Sequence, residues 1–221
     1  MFDIEKYISA LTDGLKKEFG NRLIYVGLQG SYLRGEATAD SDIEIRVVID
    51  GLNVDDLRLY RKIIESMPCA DKSCGFICSA EDLKHWNPLE IAHLLHSTAD
   101  RYGVLARLIP PYTEEDIRNF IKTSVNNLYH ELCHRYIHGD HDKTVAALPL
   151  LYKNVFFILQ NRSFLTSGRF FGTKTELLKH LTGRDHEVMK RSLDLRNGCT
   201  FDHEESFLLL FTWCQETPRT L

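Results

Sequence analysis

Residues 30–45 read GSYLRGEATADSDIEI. The Gly-Ser pair directly follows one apolar run, and the carboxylates Asp42 and Glu44, separated by one residue, stand at the start of another. Alternate side chains of a β-strand point to the same face of the sheet. Asp42 and Glu44 are therefore predicted to project side by side, with Cα atoms roughly 6.6 Å apart. A plain hairpin needs neither feature, so the stretch predicts a functional site.

The two ends of this stretch suit different parts of a nucleotide. Two neighbouring carboxylates can share one or two hard cations, and Mg²⁺ is held by few carboxylates together with water and phosphate oxygens. Gly30 permits a tight turn, and Ser31 is predicted to cap a short helix over 32–36 whose free N–H groups bind phosphate. Gly35 is predicted to end that helix, and Ser41 leads into the strand. The sequence thus predicts a phosphate site beside a metal site, which nucleoside triphosphate chemistry requires.

Around this stretch, short apolar runs alternate with helix-like segments. Hydrophobic spacing predicts helices over 4–19 and 54–67, the second capped by Asn53. Strands are predicted over 23–28, 43–49 and 73–78. We therefore predict an α/β (α+β) domain with a small mixed sheet over residues 1–110.

Beyond Pro110-Pro111 the pattern is almost wholly helical, and the double proline is suited to a linker. Thr113 and Asp116 resemble a capping box at the start of a long helix that Gly139 ends. Further helices are predicted over 143–166, 173–181, 187–193 and 202–215. Short loops between helices indicate an all-α helical bundle domain over residues 111–221.

Composition limits the classes of function. The 221 residues are 43% hydrophobic and carry a formal net charge of −4, which argues against a broad nucleic-acid surface. The N-terminal segment lacks the apolar core of a signal peptide, and no apolar run is long enough to span a bilayer. None of the six cysteines forms a CxxC pair. We expect a cytoplasmic protein with free thiols and with neither membrane nor nucleic acid as a partner.

The opening stretch resembles the signature of the nucleotidyltransferase superfamily related to DNA polymerase beta, especially its small bacterial members. That signature is Gly-Ser, often an Arg-Gly shortly after, then Ser-Asp, an apolar residue, Asp or Glu, and another apolar residue. The matching positions are Gly30-Ser31, Arg34-Gly35, Ser41-Asp42, Ile43, Glu44 and Ile45. The helical second half is similar to the C-terminal domains of kanamycin- and lincosamide-type nucleotidyltransferases and of fused nucleotidyltransferase–HEPN proteins.

The resemblance implies an enzyme that transfers a nucleoside monophosphate, with AMP from ATP as the expected case, to a hydroxyl of an acceptor. The acceptor would be a small molecule, such as an antibiotic, or a protein, and the chain could form a homodimer. Asp42 and Glu44 would be the catalytic, Mg²⁺-binding carboxylates. The implied nucleotide-binding residues are Gly30, Ser31, Arg34 and Ser41.

One departure from the family pattern supports an alternative. Active members usually add a third carboxylate from a later strand, and Gly75 or Phe76 stands at the expected place. Asp71, Glu81 and Asp82 lie nearby in the sequence but away from the centre of the strand. The alternative is a catalytically weak or inactive nucleotide-binding module with a regulatory, antitoxin-like role.

A second alternative is zinc hydrolysis. Residues 130–134 read HELCH, a literal HExxH in which His130 and His134 would share a helix face and Glu131 would act as base. A third ligand is required, and the extended form of the motif is absent. His138 and His141 extend the histidine cluster, for which a polar helix face is the simpler interpretation.

Overall fold

The computed structural model describes residues 2–221, and of His141 the backbone alone. The chain forms two compact units, Met1–Tyr112 and Thr113–Leu221. The first combines a four-stranded mixed sheet with helices, and the described part of the second is helical. This architecture confirms the predicted fold class.

The sheet of the first unit has the order β3-β2-β1-β4. Strand β1 is antiparallel to β2 and β4, whereas β2 and β3 run parallel because a helix crosses over between them. The strands are β1 (Leu23–Leu28), β2 (Ile43–Ile49), β3 (Ser73–Cys78) and β4 (Ala99–Tyr102). The three strands predicted from sequence are confirmed, and β4 is an additional edge strand.

In the described residues of this unit, five α-helices accompany the sheet. Asn53 caps α3 in a capping box with Asp56, which confirms the predicted start of that helix, but α3 ends at Glu65 and not at residue 67. The helices are α1 (Ile4–Phe19), α2 (Gly30–Leu33), α3 (Val54–Glu65), α4 (Ala80–Lys84) and α5 (Pro88–His96).

The two faces of β2 have different surroundings. Ile43, Ile45 and Val47 are buried in a core with the apolar faces of α1 and α3. On the opposite face, Val48 is buried with apolar residues of α4 and α5, while Asp42 is exposed. The face that carries the carboxylates is thus covered at one end of β2 and open at the other.

The second unit is a helical bundle. The predicted capping box at Thr113 and Asp116 is present, and the helix that it starts ends at His138. The long helix α7 packs against α6, α9 and α10, so it is apolar on several sides. The helices are α6 (Glu114–His138), α7 (His141–Ser167), α8 (Lys174–Leu178), α9 (Gly183–Arg196) and α10 (His203–Glu216).

Hydrogen bonds fix α7 in this bundle. The Tyr152 hydroxyl donates to the carbonyl of Ser206 on α10 at 2.7 Å, and the Ser192 hydroxyl on α9 donates to the Tyr152 carbonyl at 2.9 Å. Among the described residues, no helix combines the length and the apolar character needed to cross a membrane.

Candidate active site

The Gly-Ser turn lies directly against the carboxylate of Glu44. The Gln29 N–H donates to the Glu44 carbonyl at 2.9 Å, which extends the β1–β2 pairing to the beginning of the turn. Gly30 is buried with φ +72°, and a Cβ placed on it would overlap Oε2 of Glu44 and lie 2.5 Å from its Cδ. Only glycine satisfies both the left-handed backbone and the close approach.

The short helix after the turn differs from its prediction. Helix α2 covers Gly30–Leu33 with Gln29 at the N-cap position, whereas the sequence predicted a helix over 32–36 capped by Ser31. The positive φ of Gly30 lets the chain turn into the helix two residues earlier. Gly35, with φ +67°, ends the helix as predicted.

The end of α2 is a Schellman motif. The Glu36 N–H donates to the Ser31 carbonyl at 2.9 Å and the Gly35 N–H donates to the Tyr32 carbonyl at 3.3 Å. Arg34 lies within this turn and pairs with Glu36, Nε to Oε2, at 3.3 Å, with both side chains 15% exposed.

The two predicted metal-binding carboxylates occupy the open end of the β2 face. Asp42 is exposed and immediately precedes β2, and Glu44 is partly exposed within it. Ser41, by contrast, shapes the preceding loop, because its hydroxyl oxygen accepts the Thr38 N–H at 2.9 Å.

A polar network that the sequence did not predict supports the Gly-Ser turn. Arg46 Nε donates to Gln29 Oε1 at 2.6 Å. Gln29 Nε2 donates to the hydroxyls of Ser97 at 3.0 Å and Thr98 at 2.8 Å. The Arg46 guanidinium lies 4.9 Å from the centre of the Phe76 ring. The only sequence signals were a charged residue on the carboxylate face of β2 and an amide just before Gly-Ser.

Arg46 and Arg34 act electrostatically on the same histidine, His93. Burial lowers the pKa of Arg46, opposed by Cys78, Glu44 and Glu90, yet arginine stays charged in proteins. His93 on α5 is half-buried, and burial, with the positive charges of Arg46 and Arg34, lowers its pKa to about 4. At neutral pH His93 is therefore neutral beside two permanent cations.

Strand β3 supplies no carboxylate next to Glu44. Its register pairs Glu44 with Cys74 and Ile45 with Gly75, and Cys74 is exposed. A Cβ at Gly75 would overlap the carbonyl oxygen of Ile45. The position beside Glu44 is thus Cys74, and not Gly75 or Phe76 as the sequence suggested.

Two acidic residues that follow β3 have other partners. Asp82 accepts the Ser79 N–H at 3.0 Å and completes a capping box of α4. Glu81 pairs with Lys84 at 3.0 Å and contacts His85 at 3.1 Å.

The histidines of α6 form a surface row. His130, His134 and His138 are exposed, with ring centroids 6.1 Å and 5.0 Å apart along the row. Glu131 accepts Nε and Nη2 of Arg135 at 2.9 Å and 2.8 Å. In the part of the chain that the structure describes, no group of three or more His, Cys, Asp or Glu side chains could hold a metal ion. The side chain of His141 lies outside the described residues.

The comparisons define the class of fold. No family model matches the sequence, and no curated protein matches it. The fold is similar to that of a solved structure, spectinomycin adenyltransferase AAD(9) from Enterococcus faecialis with ATP and spectinomycin, in line with the resemblance found in the sequence. It aligns with 98% of this chain and 100% of its own at 15% identity, with a TM-score of 0.61.

Proposed function

We propose that this protein is a Mg²⁺-dependent nucleotidyltransferase that moves AMP from ATP to a hydroxyl of a small-molecule acceptor. The observation that carries the proposal is the approach of Gly30 to the carboxylate of Glu44. It brings a turn suited to phosphate and a carboxylate suited to a divalent cation into one place.

The donor set fits magnesium. Asp42 and Glu44 offer hard carboxylate oxygens on a solvent-accessible part of the sheet, and few protein ligands suffice because Mg²⁺ also takes water and phosphate oxygens. When bound there, Mg²⁺ would neutralise charge on the triphosphate. Asp42 and Glu44 are the residues that would hold it.

The remaining residues bind and orient the nucleotide. Backbone N–H groups at Gly30 and Ser31 would cradle the β- and γ-phosphates, and the Ser31 hydroxyl would add a donor. Gln29 holds the turn through Arg46, Ser97 and Thr98. The acceptor oxygen would attack the α-phosphorus as the bond to the bridging oxygen breaks and pyrophosphate leaves with the electron pair.

The fold likeness supports the choice of substrates. AAD(9) was solved with ATP and an antibiotic, spectinomycin. The cationic side chains of Arg34 and Arg46 near the turn also suit a polyphosphate. We therefore propose ATP as the donor and a hydroxylated small molecule as the acceptor.

Calorimetric titration of the protein with ATP and Mg²⁺ tests the proposal. We expect Asp42→Ala and Glu44→Gln to weaken ATP binding by about tenfold or more, which corresponds to about 1.4 kcal/mol. Asp40→Ala, which removes an exposed carboxylate from the same loop, is the matched control and should bind like wild type. Wild-type protein that binds no ATP, or equal binding by all four proteins, would contradict the proposal.

A second candidate is the nucleotide-binding module without catalysis. It is favoured by the pairing of Glu44 with Cys74, because β3 then adds no carboxylate to the site. Pyrophosphate release across aminocyclitol, aminoglycoside and lincosamide acceptors separates the two candidates. Turnover that Glu44→Gln abolishes excludes the binding module, and ATP binding without turnover favours it.

A further inference from the structure

Transfer to a hydroxyl releases a proton, and the residues proposed above do not account for its acceptor. Asp42 and Glu44 are assigned to the cation, and β3 places Cys74 beside Glu44. The general base must therefore come from another element beside β2.

Contacts lead from the carboxylate strand to such an element. Arg46, two residues after Glu44 on the same face of β2, lies over the Phe76 ring at 4.9 Å. Phe76 packs edge-on against Trp86 with ring centroids 4.9 Å apart. The Trp86 indole N–H then donates to Glu90 Oε2 at 2.6 Å. Glu90 also interacts electrostatically with Arg46, as Glu44 does.

Glu90 is accessible, and a hydrogen bond holds one of its carboxylate oxygens. It lies in the first turn of α5, where Ile91 and Leu94 are buried against the covered end of the sheet and Glu90 itself is exposed. The indole N–H engages one carboxylate oxygen, Oε2. A carboxylate in this setting is held in place and open to solvent and ligand.

We propose that Glu90 is a catalytic residue, the general base that accepts the proton of the attacking hydroxyl. The assignment rests on the proposed function. As the acceptor oxygen forms its bond to the α-phosphorus, its proton passes to the Glu90 carboxylate. The bond between the α-phosphorus and the bridging oxygen breaks, and its electron pair leaves with pyrophosphate. The proton then passes from Glu90 to water.

Other carboxylates near α5 are less suited to this role. Glu81 is engaged by Lys84 and His85, and Asp82 is committed to the N-terminus of α4. The contacts from Arg46 through Phe76 and Trp86 lead to Glu90.

The test compares Glu90→Gln with wild type in two measurements, pyrophosphate release and the affinity for ATP with Mg²⁺. Release is measured with water and with spectinomycin, kanamycin and lincomycin as acceptors. Glutamine keeps an acceptor for the Trp86 indole but cannot take a proton at this site. We expect turnover to fall by about 100-fold or more, the usual size of a general-base contribution, with the ATP dissociation constant within about twofold.

Two further variants make the result specific. Glu81→Gln removes an exposed carboxylate from the neighbouring helix α4 and should leave turnover unchanged. Trp86→Phe keeps the ring against Phe76 but removes the indole donor, so it should lower kcat severalfold and leave the ATP dissociation constant unchanged.

The outcomes separate this inference from the function on which it rests. Equal turnover by Glu90→Gln and wild type overturns the inference, and so does a loss of ATP affinity that matches the loss of turnover. Wild-type protein that binds ATP through Asp42 but releases no pyrophosphate with any of these acceptors overturns the inference and leaves nucleotide binding in place. Failure of wild type to bind ATP overturns the proposed function and the inference together.

Discussion

Gly30 faces the carboxylate of Glu44 so closely that a Cβ on residue 30 would overlap Oε2 of residue 44. Gly30 also has φ +72°, a backbone conformation that other residues adopt at a cost. The turn between β1 and α2 and the carboxylate of β2 therefore constrain each other. Any side chain at position 30 must displace one of them.

Gly30→Ala should consequently impair both stability and nucleotide binding. We expect ATP affinity to fall by about tenfold or more, because the methyl group pushes the Glu44 carboxylate away. Gly51→Ala is the matched control, since Gly51 has φ +57° and no atom near its would-be Cβ. It should lose about 1 kcal/mol of unfolding free energy from backbone strain alone and keep its ATP affinity. Calorimetry and chemical denaturation measure the two effects, and equal ATP affinity in both variants would refute this account.

Gln29→Met should loosen the Gly-Ser turn. The substitution leaves Arg46 Nε without its acceptor and removes the donor to Ser97 and Thr98. A buried polar group that loses its partner costs about 1–3 kcal/mol, so we expect an unfolding free energy lower by that amount and weaker ATP binding. Gln29→Glu keeps an acceptor for Arg46, although it too lacks the donor to Thr98, and should retain more of the unfolding free energy than methionine does. If methionine and glutamate behave alike in denaturation and titration, the network does not hold the turn.

Cys74→Asp should strengthen the binding of divalent cations. Cys74 is exposed and is paired in register with Glu44, so an aspartate there would add a carboxylate to the same face of the sheet. We expect Mn²⁺ to bind about tenfold more tightly, as followed by electron paramagnetic resonance with ATP present. Gly75→Asp adds the same charge one residue further along, where its Cβ would overlap the Ile45 carbonyl, and should destabilise the protein without this gain. An unchanged Mn²⁺ affinity in Cys74→Asp would argue against a cation at Glu44.

Asp56 should make stability depend on acid pH. Both terminal nitrogens of Arg22 donate to its carboxylate, and this pairing, together with the Asn53 N–H, lowers the pKa of Asp56. The unfolded chain, with a pKa near 3.9, then binds the proton more readily than the folded protein. The stabilisation is present above about pH 4 and is lost as pH falls through the lower folded pKa.

We expect Asp56→Asn to remove this stabilisation at neutral pH and to flatten the denaturation profile below about pH 4. Asp55→Asn is the control, because Asp55 is 84% exposed and pairs with the 73% exposed Arg58. Such surface pairs contribute little to stability. If the unfolding free energies of the two variants changed with pH in parallel, the acid dependence would not come from Asp56.

His93 should make stability depend on pH in a higher window than Asp56 does. Its charged form is the protonated imidazolium, whereas the charged form of Asp56 is the deprotonated carboxylate. Its folded pKa is lowered to about 4 by burial, Arg46 and Arg34, whereas an unfolded histidine has a pKa near 6.5. Between these values the unfolded chain binds more protons, so stability rises as pH increases through this window. His93→Gln should remove that slope. His85→Gln changes a side chain that is 77% exposed and should keep the slope of stability against pH. Loss of that slope in both variants would show that His93 is not its source.

Local pattern determined much of the first unit. Alternation along 43–49 indicated strand β2 and placed Asp42, Glu44 and Arg46 on one face, and the apolar face is indeed buried. Capping residues located the starts of α3 and α6. Strand β4 was not predicted because ADRY is short and polar, and it is an edge strand held by pairing with β1 alone.

The sequence by itself thus determined the fold class and the two parts of the candidate site, since side-chain period, caps and glycines act over a few residues. Only the tertiary structure decided which groups meet. The register of β2 and β3 sets Cys74 beside Glu44, the turn after β1 sets Gly30 against it, and the packing of α5 connects Glu90 to Arg46 through Trp86 and Phe76. These contacts join residues distant in the chain, and their geometry follows from strand pairing and core packing, which no local pattern encodes.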